Sequence, residues 1–218
     1  VNLSGSDLSN ANLNSAILVD TILVNANLQN ADLRNVILDD TTLESAILSG
    51  VDLSGKDLTG TNLSGADLSY TNLSGQDLSG RNLTGANLTG AFLFGTTLAG
   101  ADLSYTSLPY AYLSGKDLTG TNLSGADLSY ANLDGVDLSG KDLTGTILKG
   151  VDLSYKDLTG TNLSGADLSY ANLTGVDLSG RDLTGVNLMS ANLTNVNLSG
   201  VDLSAGAKFK FDIEGVVT

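Results

Sequence analysis

The stretch KDLTGTNLSGADLSY occupies residues 56–70, and the same fifteen letters recur at residues 116–130 and 156–170. The copies begin 60 and 40 residues apart, and the largest number that divides both separations is 20. A leucine stands at every fifth position from Leu3 to Leu203, in 41 consecutive units, and nowhere else in the chain. This strict period indicates a repeat protein whose local structure recurs every five residues.

All the five-residue units share one arrangement, which we number as slots 1 to 5 with the leucine in slot 3. Slot 1 is Ala, Val, Thr or Ser in 34 of the 41 units, and slot 2 is Asp or Asn in 31. Slot 4 is Ser or Thr in 28 units, and slot 5 is usually Gly. A period of five fits neither a helix nor a flat strand. We therefore expect slots 1 and 3 to face the same way and the chain to turn at slot 5.

The divisor of 20 predicts that four units close one coil. Slots 1 and 3 would then fill the interior, slots 2 and 4 would face outward, and each coil would pair with the next through main-chain hydrogen bonds. A single coil cannot bury its own leucines, so the coils must stack. At a strand spacing of about 4.8 Å, roughly ten coils would make a rod about 50 Å long.

Units such as ADLSY, ANLTG and TNLSG resemble the pentapeptide-repeat family, whose units are written A(D/N)LXX, and the resemblance covers residues 1–205. It implies an all-β fold, the right-handed quadrilateral β-helix, with four units in each coil. Residues 206–218 depart from the pattern and place Lys208 in the leucine position. They alternate Phe209, Phe211 and Ile213 with charged residues, which predicts a capping strand over the last coil. A subunit contact is the alternative interpretation of this tail.

The composition excludes most catalytic chemistry. The 218 residues include no His and no Cys, which removes the usual general base, the thiol nucleophile and the commonest metal ligands. We expect no enzyme activity, no cofactor and no metal, since a flat column of Asp residues lacks the converging oxygens of a tight Ca²⁺ site. The net charge of -14 argues against binding to nucleic acid. No apolar run is long enough to predict insertion into a membrane.

Residues 20 apart should form columns along the rod, and one side carries a column of carboxylates. Its members are Asp57, Asp77, Asp117, Asp137, Asp157 and Asp177. Like charges at strand spacing repel each other. Six basic residues occupy the small slot 1, three on the side of this column and three on the next side: Lys56, Lys116, Lys156, Arg81, Lys141 and Arg181.

A charge buried among leucines is costly unless it is paired. We therefore expect these basic side chains to reach outward around the corner and to pair with Asp on the same or a neighbouring coil. A recognition stripe for an anionic ligand is the alternative interpretation.

Apolar residues take outward slots near the N terminus. They are Ile17, Val19, Ile22, Val24 and Ile37. Ile17 and Ile37 are 20 apart and are expected to stack. Such a patch is too apolar for a free surface, which predicts a missing cap or a contact with another subunit. Family members commonly dimerise end to end, so the resemblance implies self-association through these N-terminal coils.

Aromatic residues form a second outward set. Four of them share one corner of the coil, and the others cluster near the middle of the rod: Tyr70, Tyr110, Tyr130, Tyr170, Phe92, Phe94 and Tyr112, with Pro109 beside them. Exposed aromatic residues are enriched at interfaces, which predicts a lateral contact surface. Unrelated surface aromatics are the alternative.

Two functions remain open after these observations. The first is a non-enzymatic structural or protein-interaction rod. The second comes from the resemblance: some acidic family members are similar to duplex DNA in width and charge, bind type II topoisomerases and confer quinolone resistance. Those relatives usually carry phenylalanine in many central slots and a C-terminal helical dimerisation element, and several have loops that interrupt the coil. Here slot 3 is always Leu and no insertion occurs, so the sequence favours the interaction rod.

Overall fold

The computed structural model describes residues 1–202 and 206–208, and their β-pairing consists of 25 isolated parallel bridges with no helix and no longer strand. All but one of these bridges join residues that are 20 apart, as Asp7 pairs with Asn27. Turns fill slots 4 and 5 of the units through residue 200. Each coil therefore contains four units and four corners, and the 20-residue period predicted from the sequence is confirmed.

The four sides of the coil are named here by their first slot-2 residues: side A from Asn2, side B from Asp7, side C from Asn12 and side D from Ile17. Side B carries an unbroken series of ten bridges along the described coils. Sides A and C carry six bridges each, and side D carries three. The sides therefore differ in how completely their main chains are paired.

The corners follow from the residues in slots 2 and 5. Slot 5 has positive φ in the described units, 66° at Gly80 for example, and where Gly is absent the slot holds Asn, Asp, Ser or Tyr. Slot 2 stabilises the turn, because its carboxylate or amide oxygen accepts the N–H of slot 4, as Asp102 accepts from Ser104 at 3.0 Å. Short polar side chains that bond to nearby main chain favour turns, which explains Asp and Asn in slot 2.

The core is a column of leucines faced by the small residues of slot 1. Leu103 and Leu143 in the middle of the rod are fully buried, whereas Leu3 in the first coil is only partly covered. Where slot 1 is Thr, its hydroxyl usually donates to a leucine carbonyl of the preceding coil, as Thr41 does to Leu18 at 3.0 Å. These buried hydroxyls are therefore satisfied within the stack.

The last described residues show a shift in register. Lys208 pairs with Asn187, which is 21 residues earlier rather than 20, and the N–H of Leu188 donates to the Lys208 carbonyl at 2.6 Å. Lys208 therefore takes slot 2 of the coil, and the prediction that it stands in the leucine position is wrong. The pattern missed the shift because one extra residue precedes Lys208. The predicted capping strand, with Phe209, Phe211 and Ile213, lies outside the described residues.

Candidate interaction surfaces

Side D carries both the Asp column and three of the lysines, and it is the least regularly paired side. Six of its nine steps between residues 17 and 197 have no bridge, and each of these six joins a unit that contains Lys56, Lys116 or Lys156. On side C three steps have no bridge, and each of them involves the unit that directly precedes one of the same lysines in the sequence. On side A the missing bridges among the described residues adjoin Arg81, Lys141 or Arg181. A basic residue in slot 1 therefore accompanies every interruption of the pairing.

Lys116 shows how the interruption arises. In a regular step, the slot-2 N–H donates to the slot-1 carbonyl of the coil below, as Thr97 donates to Gln76 at 3.0 Å. One coil further on, the Thr96 carbonyl instead accepts the Lys116 ammonium at 2.8 Å. Lys156 makes the equivalent bond to the Val136 carbonyl at 3.1 Å. Each ammonium has thus taken the acceptor that the main chain would otherwise use.

These two lysines do not form the predicted ion pairs with Asp, although the charge of Lys156 contributes to the lowered pKa of Asp137. Within residues 1–202 and 206–208, no carboxylate oxygen lies within 4.0 Å of either ammonium. A lysine stem that starts in slot 1 meets the carbonyls at the rim of the coil before it reaches an outward-facing Asp. The partial burial that results lowers the pKa of Lys116. An ion pair at 2.7 Å instead joins Arg34 and Asp32 near the N terminus, away from the column.

The six carboxylates of the Asp column are exposed and serve the fold. Each accepts the main-chain N–H two residues further on, at 2.8 Å from Thr119 to Asp117 for example. Hydroxyl donors are the main cause that holds the pKa of each below its usual value, and Thr97 and Ser79 lower the pKa of Asp77 to about 2. These groups are therefore anionic acceptors, which is the opposite of the raised pKa that a general acid needs.

The basic residues of side A act on the same column at longer range. Arg81 contributes to the lowered pKa of Asp57 and Asp77, and Arg181 does the same for Asp157 and Asp177. Lys141 contributes in the same way to Asp117 and Asp137. The fields of these cations thus partly offset the column without contact within the ion-pair distance.

Two equivalent grooves open beside the lysines of side D. One, of about 460 Å³, is lined by Lys156, Asp157 and Asp137 among others. The other, of about 370 Å³, lies two coils earlier beside Lys116 and Asp117. The grooves adjoin steps without bridges, so they mark places where adjacent coils are less closely paired.

The N-terminal apolar patch lies on sides D and A. Ile17 and Ile37 face each other in a parallel bridge, as the 20-residue period predicts, and they are 73% and 42% exposed. Val19 and Ile22 are also exposed, whereas Val24 is half-buried. Four of the five predicted residues therefore offer apolar surface to solvent.

The aromatic residues of the middle of the rod are exposed as well. Phe92 and Tyr112 occupy slot 2 of side C in adjacent coils, and Phe94 lies two residues after Phe92. On the neighbouring corner, the rings of Tyr110 and Tyr130 are parallel within 8° and their centres are 5.2 Å apart. The structure thus places one stacked pair next to three further exposed rings.

Sequence reasoning missed a pairing between tyrosines and glycines in slot 5. A Cβ added to Gly90 would lie 2.7 Å from the ring of Tyr70, and one added to Gly150 would lie 2.2 Å from the ring of Tyr130. Each ring therefore covers a corner of the next coil that only Gly leaves open. The signal was available as a Tyr followed by a Gly 20 residues later.

Metal sites and membrane-spanning helices are both absent from residues 1–202 and 206–208. No group of acidic, His or Cys side chains in it is arranged to hold a metal ion. No helix there has the length and apolar character required to span a bilayer.

Several solved structures are similar to this chain. HetL, a pentapeptide repeat protein involved in heterocyst differentiation regulation in the cyanobacterium Nostoc sp. strain PCC 7120, is 33% identical, with 95% of this chain and 88% of HetL covered and a TM-score of 0.46. QnrB1, a plasmid-mediated fluoroquinolone resistance protein, is 18% identical in a trypsin-treated form, with 96% and 91% covered and a TM-score of 0.40. A pentapeptide repeat protein of the Arabidopsis thaliana thylakoid lumen is 29% identical over 61% of this chain and 68% of its own, with a TM-score of 0.15.

The family comparison matches the greater part of the sequence. None of the curated proteins compared with this chain matches it. The family model described as pentapeptide repeats, by contrast, matches in eight copies over residues 2–140 and 142–204. The matched units up to residue 202 are the ones that form the four-sided coils described above. This chain belongs to the pentapeptide-repeat family.

Proposed function

We propose that this chain is a non-enzymatic protein-interaction rod, a right-handed quadrilateral β-helix that associates with a second copy through its N-terminal coils. The state of its carboxylates supports a role without catalysis. Those of the Asp column accept hydrogen bonds that build the turns, and the pKa of each is lowered, so none is prepared to donate a proton. What the outer surface offers instead is a set of apolar and aromatic side chains.

The exposed N-terminal patch carries this proposal. Ile17, Ile22 and Ile37 present large aliphatic side chains on two adjoining sides of the first two coils. These side chains are 73%, 41% and 42% exposed, so burying what remains exposed would contribute about 2–5 kcal/mol to a dimer contact. Leu3 and Leu8 of the first coil are only partly covered, so the open end of the rod beside this patch also offers apolar surface.

The mass in solution tests self-association. Light scattering over a dilution series should give twice 22.3 kDa for the wild-type chain, and the double variant Ile17→Asp, Ile37→Asp should give the single mass. Met189→Asp introduces a charge at an exposed apolar position far from the patch, and it should keep the double mass. A wild-type chain that stays at 22.3 kDa at every concentration, or a double variant that still dimerises, would refute the proposal.

A second candidate is a DNA mimic that binds a type II topoisomerase. Its support is the charge density: a net charge of -14 over a rod of about 50 Å gives about one negative charge per 3.5 Å, roughly half the density of duplex DNA. QnrB1 is itself a fluoroquinolone resistance protein. A supercoiling assay with DNA gyrase, run with and without a quinolone, separates the two candidates. Inhibition of the enzyme or protection from the drug would support mimicry, and no effect at a large excess of rod would reject it.

A further inference from the structure

The corner between sides B and C carries four tyrosines, which we call the tyrosine edge: Tyr70, Tyr110, Tyr130 and Tyr170. Successive slot-5 positions along this edge are 20 residues apart, so Gly90 lies between Tyr70 and Tyr110, and Gly150 lies between Tyr130 and Tyr170. All four rings are exposed. Because Tyr110 and Tyr130 stack in adjacent coils with parallel rings, the faces of these two rings point along the rod. The two glycines carry no ring of their own, and the ring of the preceding tyrosine covers each of them. The space between that ring and the next ring along the edge is called an interval here.

A cation lies over the ring of Tyr170, which borders the interval at Gly150. The ammonium of Lys149, the residue directly before Gly150, lies 5.6 Å from the ring centre of Tyr170. A cation over the face of an aromatic ring at this distance is attracted by the negative charge density of that face. Within the described residues, Lys149 is the one basic side chain that lies over a ring. The ring that borders the interval at Gly150 is therefore already in contact with a cation of the chain itself.

The interval at Gly90 is built in the same way but lacks the lysine. It lies 60 residues, or three coils, before the interval at Gly150, and a tyrosine ring leans over the glycine in both. The residue equivalent to Lys149 is Thr89, a short side chain whose hydroxyl lies 3.2 Å from the hydroxyl of Ser107. No basic residue of this chain is therefore available to cover Tyr110 from that position.

Two further exposed rings follow the interval at Gly90 on the next side of the coil. Phe92 follows Gly90 by two residues, and Tyr112 follows Tyr110 by two, so both lie on side C just past the same corner. Phe92 is 61% exposed and Tyr112 is 71% exposed. Exposed aromatic rings attract organic cations, so these two rings add to the aromatic surface beside the interval.

We propose that the interval at Gly90 binds a lysine or arginine side chain from a basic segment of a partner protein, over the ring of Tyr110, as the ammonium of Lys149 lies over the ring of Tyr170. The charge of the rod favours such a partner, since a net charge of -14 attracts basic segments and speeds their association. The inference depends on the proposed role as an interaction rod, because it names the chemistry of one partner of that rod.

A titration with a defined basic peptide tests the inference. The probe is acetyl-GSRGSRGSRGS-amide, followed by NMR shifts of ¹³C-labelled tyrosine rings, which report each ring separately. Tyr110→Gly should weaken binding about twofold to fivefold, the range expected for one exposed cation–ring contact. Gly is the usual residue of slot 5, so this variant keeps the corner. Tyr155→Gly removes an equally exposed ring from a different corner and should leave binding unchanged.

Two exchanges between the equivalent intervals sharpen the test. Thr89→Lys should place the chain's own ammonium under Tyr110 and abolish the peptide-induced shift of that ring. Thr144→Lys adds the same charge in slot 4 of side A and should preserve the shift. Lys149→Thr should open a second interval, so that the ring of Tyr170 also shifts with peptide.

The results that would overturn the inference are distinct from those that bear on self-association. Equal losses in Tyr110→Gly and Tyr155→Gly, or equal effects of Thr89→Lys and Thr144→Lys, would mean that general charge attraction explains the binding. A rod that has the double mass but fails this titration would refute the cation site alone. A rod that keeps the single mass but passes the titration would refute self-association alone.

Discussion

Replacing Lys116 by Thr is expected to stabilise the rod. In the wild-type chain the Lys116 ammonium holds the Thr96 carbonyl, and no bridge joins Asp117 to the coil on either side. One coil below, slot 1 is Thr96 itself, and there the bridge between Asp77 and Thr97 is intact. Thr96 also donates its hydroxyl to the Leu73 carbonyl at 3.0 Å. A threonine at position 116 should reproduce this regular arrangement.

The magnitude follows from the bonds exchanged. The variant should gain two main-chain bonds, from Asp117 N–H to the Thr96 carbonyl and from Leu98 N–H to the Asp117 carbonyl. It should also gain one hydroxyl bond to the Leu93 carbonyl. At about 1 kcal/mol each these amount to about 3 kcal/mol, whereas the charge-assisted bond that is lost contributes about 2 kcal/mol. The free energy of unfolding should rise by about 1 kcal/mol, which raises Tm by about 2–4 °C in a chain of this size.

Two measurements check this prediction. Thermal or urea unfolding gives the change in stability, and amide hydrogen exchange reports whether the Asp117 N–H becomes protected. Lys149→Thr removes the same charge from slot 4, where no ladder carbonyl is involved, and its stability should not rise. If Lys116→Thr lowers Tm, or if the Asp117 amide exchanges as fast as before, the lysine is not the cause of the missing bridges.

Two other predictions concern the turns and the corners. The pKa of Asp77 is lowered from 3.8 to about 2 in the folded chain, so its stabilising effect is present above about pH 4 and is lost as the pH falls towards 2. The variant Asp77→Asn should remove this contribution. Its free energy of unfolding in urea should therefore change less between pH 5 and pH 2 than that of the wild type. Gly150→Ala and Gly80→Ala both place Ala at positive φ, at a cost of about 1 kcal/mol, but only Gly150 faces a ring, that of Tyr130. Gly150→Ala should therefore cost about 0.5–1.5 kcal/mol more through the lost stacking with Tyr110, and equal costs in urea unfolding would contradict the ring contact.

The sequence was sufficient for the architecture because the repeat is nearly exact. The separations of three identical copies determine the 20-residue coil, and this coil places Ile17 against Ile37, as the structure shows. The period misplaced Lys208, because one extra residue before it shifts its slot and a periodic pattern cannot show where an extra residue is accommodated. The period therefore predicts positions well only where it is unbroken.

The details of the candidate surfaces were harder to predict, because they depend on competition for single acceptors. The pattern places Lys116 in an inward slot beside a column of carboxylates, which made an ion pair the natural expectation. The outcome instead depends on whether the ammonium meets a carboxylate or a main-chain carbonyl first, and this is a matter of a few ångströms. The ring of Tyr70 over Gly90 was predictable in principle, since it needs only the rule that residues 20 apart are neighbours.

The distribution of the basic residues explains how the rod tolerates them. Missing bridges on sides C and D adjoin each lysine of side D, yet no two basic residues occupy slot 1 of the same side in adjacent coils. Side B carries none of the six and keeps all ten of its bridges. Since neighbouring coils stabilise one another, two coils that lack a bridge on one side are kept together by bridges on the opposite side. The rod can therefore place cations near its Asp column, and grooves beside its lysines, while one continuous ladder maintains the register of the stack.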